Sequence, residues 1–264
     1  MILTNENYYS LEANREYMSV SQFKDFMSCE AMAMAVIRGE WKKPQTKALL
    51  VGNYVDSWFE GTLEEFKAEN PEIFKKDGHL KADYVQAEEI IDFIQRDPKF
   101  MEYMAGEKQV IMTAELFGTP WKIKIDSYHP GKMIVDGKVM RTMERIMGKS
   151  FVEHCYYDFQ MAIYSEVERI FTGSPVGLET YLAAVTKQEP PDKEVIHIPA
   201  WRREDKLSEA EKHMPRVLAV KNGLEVPRRC GGCAYCRKTK MIKEPIDFEL
   251  VGLSGEERRA ILGD

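Results

Sequence analysis

The chain has 264 residues, 44% of them hydrophobic and 30% charged, the balance of a globular protein of one large domain. It holds no run of about 18 apolar residues, and Met1 to Asn7 form neither a basic nor an apolar stretch, so no membrane span and no secretory signal are expected, and residence in the cytoplasm follows. A net charge of −6 argues against coating nucleic acid by bulk electrostatics, while leaving room for a local basic groove.

Ser19-Val20-Ser21-Gln22 has the form of a capping box, with Ser19 as N-cap and Gln22 reaching back. It predicts a helix through Phe23, Phe26, Met27, Ala31, Met34 and Ala35 to about Gly39, with Cys29 inside it. Ala48 to Gly61 reads as a second helix stopped by its glycine. A mostly polar helical insert follows over about 62–105, interrupted at Pro71 and at Asp97-Pro98. Residues 110–139 change to strand character, with turns at Gly118-Thr119-Pro120 and Pro130-Gly131. A helix over 153–171, strands over 181–185 and 194–198 around Pro190-Pro191, and a helix over 204–222 come next. A cysteine-rich segment (226–241) and an acidic tail finish the chain. The order helix, β-meander, helix, strands is that of a mixed α/β or α+β fold, expected here as a single domain over 1–264.

Chemistry concentrates in Ile123-Lys124-Ile125-Asp126, followed ten residues later by Asp136-Gly137-Lys138. Both carboxylates are expected at the ends of apolar strands, where a charge is costly unless paired, hydrogen-bonded or metal-bound. Carboxylate oxygens suit Mg²⁺ or Mn²⁺. Lys138, two residues past Asp136, points to the same strand face. A hard cation and a lysine together supply what phosphodiester hydrolysis needs. As a bare pattern the spacing fits solvated turn residues first, and only the apolar strands around it point to a site. Glu60 and Glu115 are further carboxylates that could touch such a site, whereas His129 reads as part of its turn and His154 as part of a helix start.

Five cysteines without a signal segment do not read as a disulfide framework. Cys230-Gly231-Gly232-Cys233-Ala234-Tyr235-Cys236 reads instead as a metal knot, its glycines letting the backbone wrap closely. A tetrahedral site or a cubane cluster needs a fourth ligand. Iron–sulfur, zinc and a reduced, metal-free cluster all stay open on spacing. Cys155 reads as packing. Arg228, Arg229, Arg237, Lys238 and Lys240 surround the knot, and Arg141, Arg145 and Lys149 follow the Asp-x-Lys strand. The knot's cations could meet DNA phosphates or form a solvated face. Tyr235 could stack on a base or cover the metal site.

Several of these segments, in this order, resemble the RecB-type branch of the PD-(D/E)xK nuclease superfamily, and within it the phage exodeoxyribonucleases of the RecE type (exodeoxyribonuclease VIII-like). The resemblance rests on Ser-x-Ser-x-Phe-x-x-Phe-x-x-Cys at 19–29, Gly52-Asn53-Tyr54-Val55-Asp56-Ser57, the strand ending at Asp126, Asp136-Gly137-Lys138, and Gln160-Met161-Ala162-Ile163-Tyr164. It implies a restriction-endonuclease-like core with a central mixed sheet flanked by helices. It also implies that Asp126 and Asp136 ligate Mg²⁺ or Mn²⁺, with the Gly137 carbonyl as a backbone ligand. Asp56, standing where the family often has histidine, would be a further ligand. Lys138 would position water and offset charge. Gln160 and Tyr164, four residues apart on one helix face, would hydrogen-bond a phosphate or the lysine. Cys29 would join Cys230, Cys233 and Cys236 around a [4Fe–4S] cluster, or around Zn²⁺. The implied activity is hydrolysis of double-stranded DNA ends from 5′ to 3′ in phage-type recombination. A single-strand annealing recombinase would be the partner and a homo-oligomer the working form. Two alternatives remain: a single-strand-acting nuclease of the CRISPR-adaptation type, and a non-catalytic DNA-binding scaffold with a structural metal.

Overall fold

Several helices of this chain begin where a short polar side chain caps them. The computed structural model describes residues 1–44, 47–242, 244–253, 257 and 260–261; much of the acidic tail lies outside them. Ser10 accepts the Ala13 N–H ahead of α1 (Leu11–Glu16), a short helix not expected from the sequence. Ser19 caps α2 (Val20–Ser28) through the Gln22 N–H. Gln22 does not reach back; its amide donates to the Asn14 carbonyl at 2.7 Å. The one helix expected from Ser19 to Gly39 is two, because Cys29 is extended (φ −165°, ψ 103°) and separates α2 from α3 (Glu30–Arg38).

Next come α4 (Lys47–Glu60), α5 (Leu63–Glu69), α6 (Ala82–Gln95) and α7 (Pro98–Tyr103), the last capped by Asp97. The strands β1 (Val110–Leu116) and β2 (Thr119–Ile125) form a two-stranded antiparallel hairpin. After a bend at Asp126 follow β3 (Ser127–His129) and β4 (Met133–Met140). The helix expected over 153–171 is split into α8 (Phe151–His154) and α9 (Tyr157–Thr172) by Tyr156, whose backbone is left-handed. Strands β5 (Glu179–Thr186) and β6 (Lys193–Ile198), then α10 (Ala200–Lys221) and α11 (Ala234–Lys238), complete the order. The expected meander is two sheets, the hairpin and a four-stranded sheet ordered β3-β4-β5-β6. The mixed α/β class is as expected. Among the described residues no helix is long and apolar enough to cross a membrane.

The chain gathers into two compact units, Met1–Lys43 with Glu209–Asp264, and Pro44–Ser208. In the second, β4 and β5 run parallel, which requires the crossover that α8 and α9 supply. Val135, Ala183 and Val185 bury one sheet face against Tyr54 and Val55 of α4 and Ile90 and Ile91 of α6. Leu182 on the other face packs with Met161 of α9 and Ile198. In the first unit, Arg216 grips Glu30 through two hydrogen bonds of 2.9 and 2.7 Å.

Candidate active site

Pairing of β3 with β4 covers only Met133–Val135. Beyond it β4 keeps β5 on one side. The bend at Asp126 turns that side chain back toward the strand, and its Oδ2 accepts the Gly137 N–H at 3.0 Å. A carboxylate thus satisfies a backbone donor that β3 leaves behind. Asp136 therefore lies in the interior of β4, not at a strand end as its sequence context suggested.

Strand alternation puts Asp136 and Lys138 on one face. Gln160 of α9 donates its amide to Asp136 Oδ1 at 2.7 Å. The Lys138 ammonium contacts Asp136 Oδ2 and stands 5.1 Å over the Tyr157 ring. Gly137 faces the opposite way. A Cβ there would lie 3.8 Å from Asp56 Oδ1, 3.9 Å from Asp126 Oδ2 and 3.3 Å from Met104 Cε. The missing side chain lets Asp56, from α4, and Asp126 approach the strand; a larger residue would press on Met104 and fill that space.

Asp136 is 2% exposed; its Oδ1 takes the Gln160 amide and its Oδ2 meets the Lys138 ammonium. A buried carboxylate is costly unless its charge is met, and here the Lys138 ammonium meets it. Carboxylates with a neighbouring backbone carbonyl are the donor set of Mg²⁺ or Mn²⁺, so these residues fit a hard divalent ion. Burial pushes the Asp56 carboxyl up to about 7, with the Asp136 and Glu60 charges adding to burial and Lys138 opposing it. Asp126 is held well above the usual carboxylate range, first by burial and then by Asp136. Burial alone would lower Lys138, but the charges of Asp136 and Asp126 outweigh it and hold the ammonium above its ordinary range. Lys124 also acts on Asp56, and Lys108 on Asp126, so three lysines share the charge of these carboxylates.

In the other unit, the sulfurs of Cys29, Cys230, Cys233 and Cys236 all lie within 4.8 Å of one another. Oxygens of Asp56, Asp126 and Asp136 are not gathered to that degree. Cys29, placed at the break between α2 and α3, comes within 3.6 Å of Cys236 Sγ across 207 positions of sequence. Tyr235 lies edge-on to Trp41 at 5.6 Å and under the Arg229 guanidinium at 5.3 Å.

Residues 19–239 match a family model described as a PDDEXK-like domain of unknown function (DUF3799). The chain belongs to this PDDEXK-like family. A crystal structure of a candidate exonuclease from Eubacterium rectale is 48% identical to it, covering 96% of this chain and 99% of that one, with a TM-score of 0.91. A solved structure named SSO0001 aligns over 86% of this chain and 96% of that one at 12% identity, with a TM-score of 0.33. No curated protein matches. PDDEXK-like nucleases use divalent metals, which agrees with the acidic pocket's donor set.

Within this PDDEXK-like chain, the structure brings Asp56, Asp126, Asp136, Gly137, Lys138 and Gln160 together. Tyr164, one turn beyond Gln160, is partly buried against Met161, Leu182 and Ile198. Glu115 is exposed on β1 and His154 is exposed, while His129 Nε2 meets the Tyr103 carbonyl at 2.8 Å. Two neighbours escaped the sequence reading. Tyr157 faces Lys138, and burial pushes its phenol up to about 12 against the lysine's opposing charge. Gln109 adopts a left-handed φ of 53°, its amide donates to Asp126 Oδ1 at 3.4 Å, and its Oε1 is buried without a hydrogen bond. Strain of this kind in a non-glycine residue gathers at functional sites. Nothing in the local sequence around Gln109 signals it.

Proposed function

We propose that the protein is a Mg²⁺- or Mn²⁺-dependent deoxyribonuclease that hydrolyses phosphodiester bonds from DNA ends. The observation that carries the reading is the buried Asp136–Lys138 pair with Asp126 and Asp56 turned toward the same stretch of β4. Asp126 and Asp136 would hold the cation, helped by Asp56 and the Gly137 carbonyl. When bound, such an ion acts as a Lewis acid on the phosphate and lowers the pKa of a water. Lys138 orients the attacking water and offsets charge on the phosphate as it reacts. Gln160 fixes one oxygen of Asp136 so that the other faces the reaction, and Tyr164 steadies the same face of α9.

The Eubacterium rectale relative is described as a candidate exonuclease, which supports attack at ends. The resemblance to RecE-type enzymes supports 5′ to 3′ degradation of double-stranded DNA. The 3′ strand would pass to a single-strand annealing recombinase, as in phage-type recombination, with a homo-oligomer encircling or tracking the duplex.

Linear duplexes labelled at the 5′ or 3′ terminus test this directly in Mg²⁺. Early release of 5′ label as mononucleotide, with 3′ label retained in single strands, is the expected result. Digestion confined to single-stranded substrate would move the assignment to the CRISPR-adaptation type. No release with either cation, by protein that still binds DNA, would leave a scaffold.

A further inference from the structure

We infer that Cys29, Cys230, Cys233 and Cys236 enclose one tetrahedral zinc ion and not an iron–sulfur cubane. A tetrahedral ion with Zn–S bonds of about 2.3 Å sets its sulfurs ~3.8 Å apart. Here Cys29 and Cys236 stand 3.6 Å apart, Cys230 and Cys236 4.0 Å, and all four sulfurs lie within 4.8 Å of one another. A cubane puts four irons and their bridging sulfides between the cysteines, so its thiolates stand on the outer corners of a larger body. The space among these sulfurs admits a single ion.

The backbone is shaped for the same occupant. The Cys233 N–H donates to Cys230 Sγ at 3.3 Å, and the Cys236 N–H to Cys233 Sγ at 3.4 Å. Each amide offsets thiolate charge while curling the chain around the next ligand. Gly231 has a φ of +78°, a conformation that glycine adopts without a side-chain penalty, and it makes that curl possible.

Four thiolates around Zn²⁺ leave a net charge of −2, and cations brace the loop that carries it. Arg229 donates to the Cys236 carbonyl at 3.2 Å, Arg237 to the Gly232 carbonyl at 2.5 Å, and Lys238 lies 5.3 Å over the Trp41 ring. These outer contacts hold ligands in place, as second-layer groups do at metal sites. The fourth ligand comes from the opposite end of the sequence. Ala31 N–H bonds the Arg228 carbonyl at 3.0 Å and Arg228 N–H bonds Glu30 Oε2 at 2.7 Å, so Cys29 is registered against the C-terminal loop independently of the sulfurs. The ion closes a loop of about 200 residues, a crosslink that restricts the unfolded chain.

The test is metal and sulfide analysis of the intact chain, expressed with zinc and iron both supplied and purified without oxygen. One zinc per chain, no acid-labile sulfide and a colourless protein are expected. Cobalt exchange should give thiolate-to-metal charge-transfer bands and the intense visible bands of a tetrahedral ion. Titrating the thiols of native protein should release one zinc per four modified cysteines, a readout that needs no variant to fold. Cys29→Ser should lose zinc affinity by more than the ~10- to 100-fold that removing an outer contact costs. Cys155→Ser, which alters a residue packed near Met140 and Phe151 outside the cluster, should keep one zinc. Iron with matching labile sulfide in a brown protein would overturn the inference. So would four freely titrating thiols with no metal released.

Discussion

At the acidic site, carboxylates are spread around Gly137 and the Lys138 ammonium sits against Asp136, whereas at the cysteine site four sulfurs lie within 4.8 Å of one another. Both gather anions into little space. The acidic site keeps its oxygens farther apart than those sulfurs, sets Lys138 against Asp136, and offers the hard donors that an exchangeable Mg²⁺ or Mn²⁺ takes. The cysteine site closes its polyhedron with soft ligands and leaves no open position, the mark of a structural ion. One arrangement is built for turnover, the other for permanence.

That contrast breaks most plainly by substitution at β4. Asp136→Asn should reduce nucleotide release to background while the metal content of the cysteine site stays unchanged; parallel loss of both would mean that the fold had failed. Lys138→Ala should cost ~10²–10³-fold in kcat, the scale of removing one group that stabilises transition-state charge. Unchanged turnover in that variant would remove Lys138 from the mechanism. Gln160→Ala, which frees Asp136 Oδ1, should weaken Mg²⁺ dependence by ~10–100-fold, read as a shift of the metal titration midpoint.

Chelation and pH sharpen the comparison further. EDTA should stop digestion at once and added Mg²⁺ restore it, while the thiolate-bound metal stays through the same wash. Because burial raises the Asp56 carboxyl to about 7, a cation must displace its proton below that pH. Mg²⁺ affinity should therefore fall by up to ~10-fold per pH unit below 7 and level off above it, and Asp56→Asn should flatten the slope. The sign for folding is opposite in metal-free protein. Between about 4 and 7 the native state keeps a proton that the unfolded chain has released, so stability should drop as pH rises through that window, and cation should reverse the trend. The smallest effect belongs to Arg229→Ala, which loosens the Cys236 loop: zinc release should quicken a few-fold with DNA affinity unaltered. A marked loss of DNA affinity would show that this arginine reads phosphate and does not brace the loop.

The local signals of the chain were legible in order. Ser19, Gly61, Asp97-Pro98 and the turn residues marked element boundaries because caps and turns depend on a few adjacent side chains. Asp136-Gly137-Lys138 announced a shared strand face because alternation is a property of any extended backbone. What escaped depends on distant partners. Cys29 lies in a run with helical periodicity, yet the chain breaks there, where the residue meets Cys236, 207 positions away.

Sequence alone determined the chemistry available: hard oxygens and a lysine in one segment, soft sulfurs in another. Tertiary structure decided how closely each set is drawn together. The bend at Asp126 and the bare Gly137 admit three carboxylates to one stretch of β4, and the break at Cys29 completes a four-sulfur cage. Spacing along a chain fixes which face a side chain takes, but the separation between ligands, and hence the ion they suit, is set only when remote segments pack.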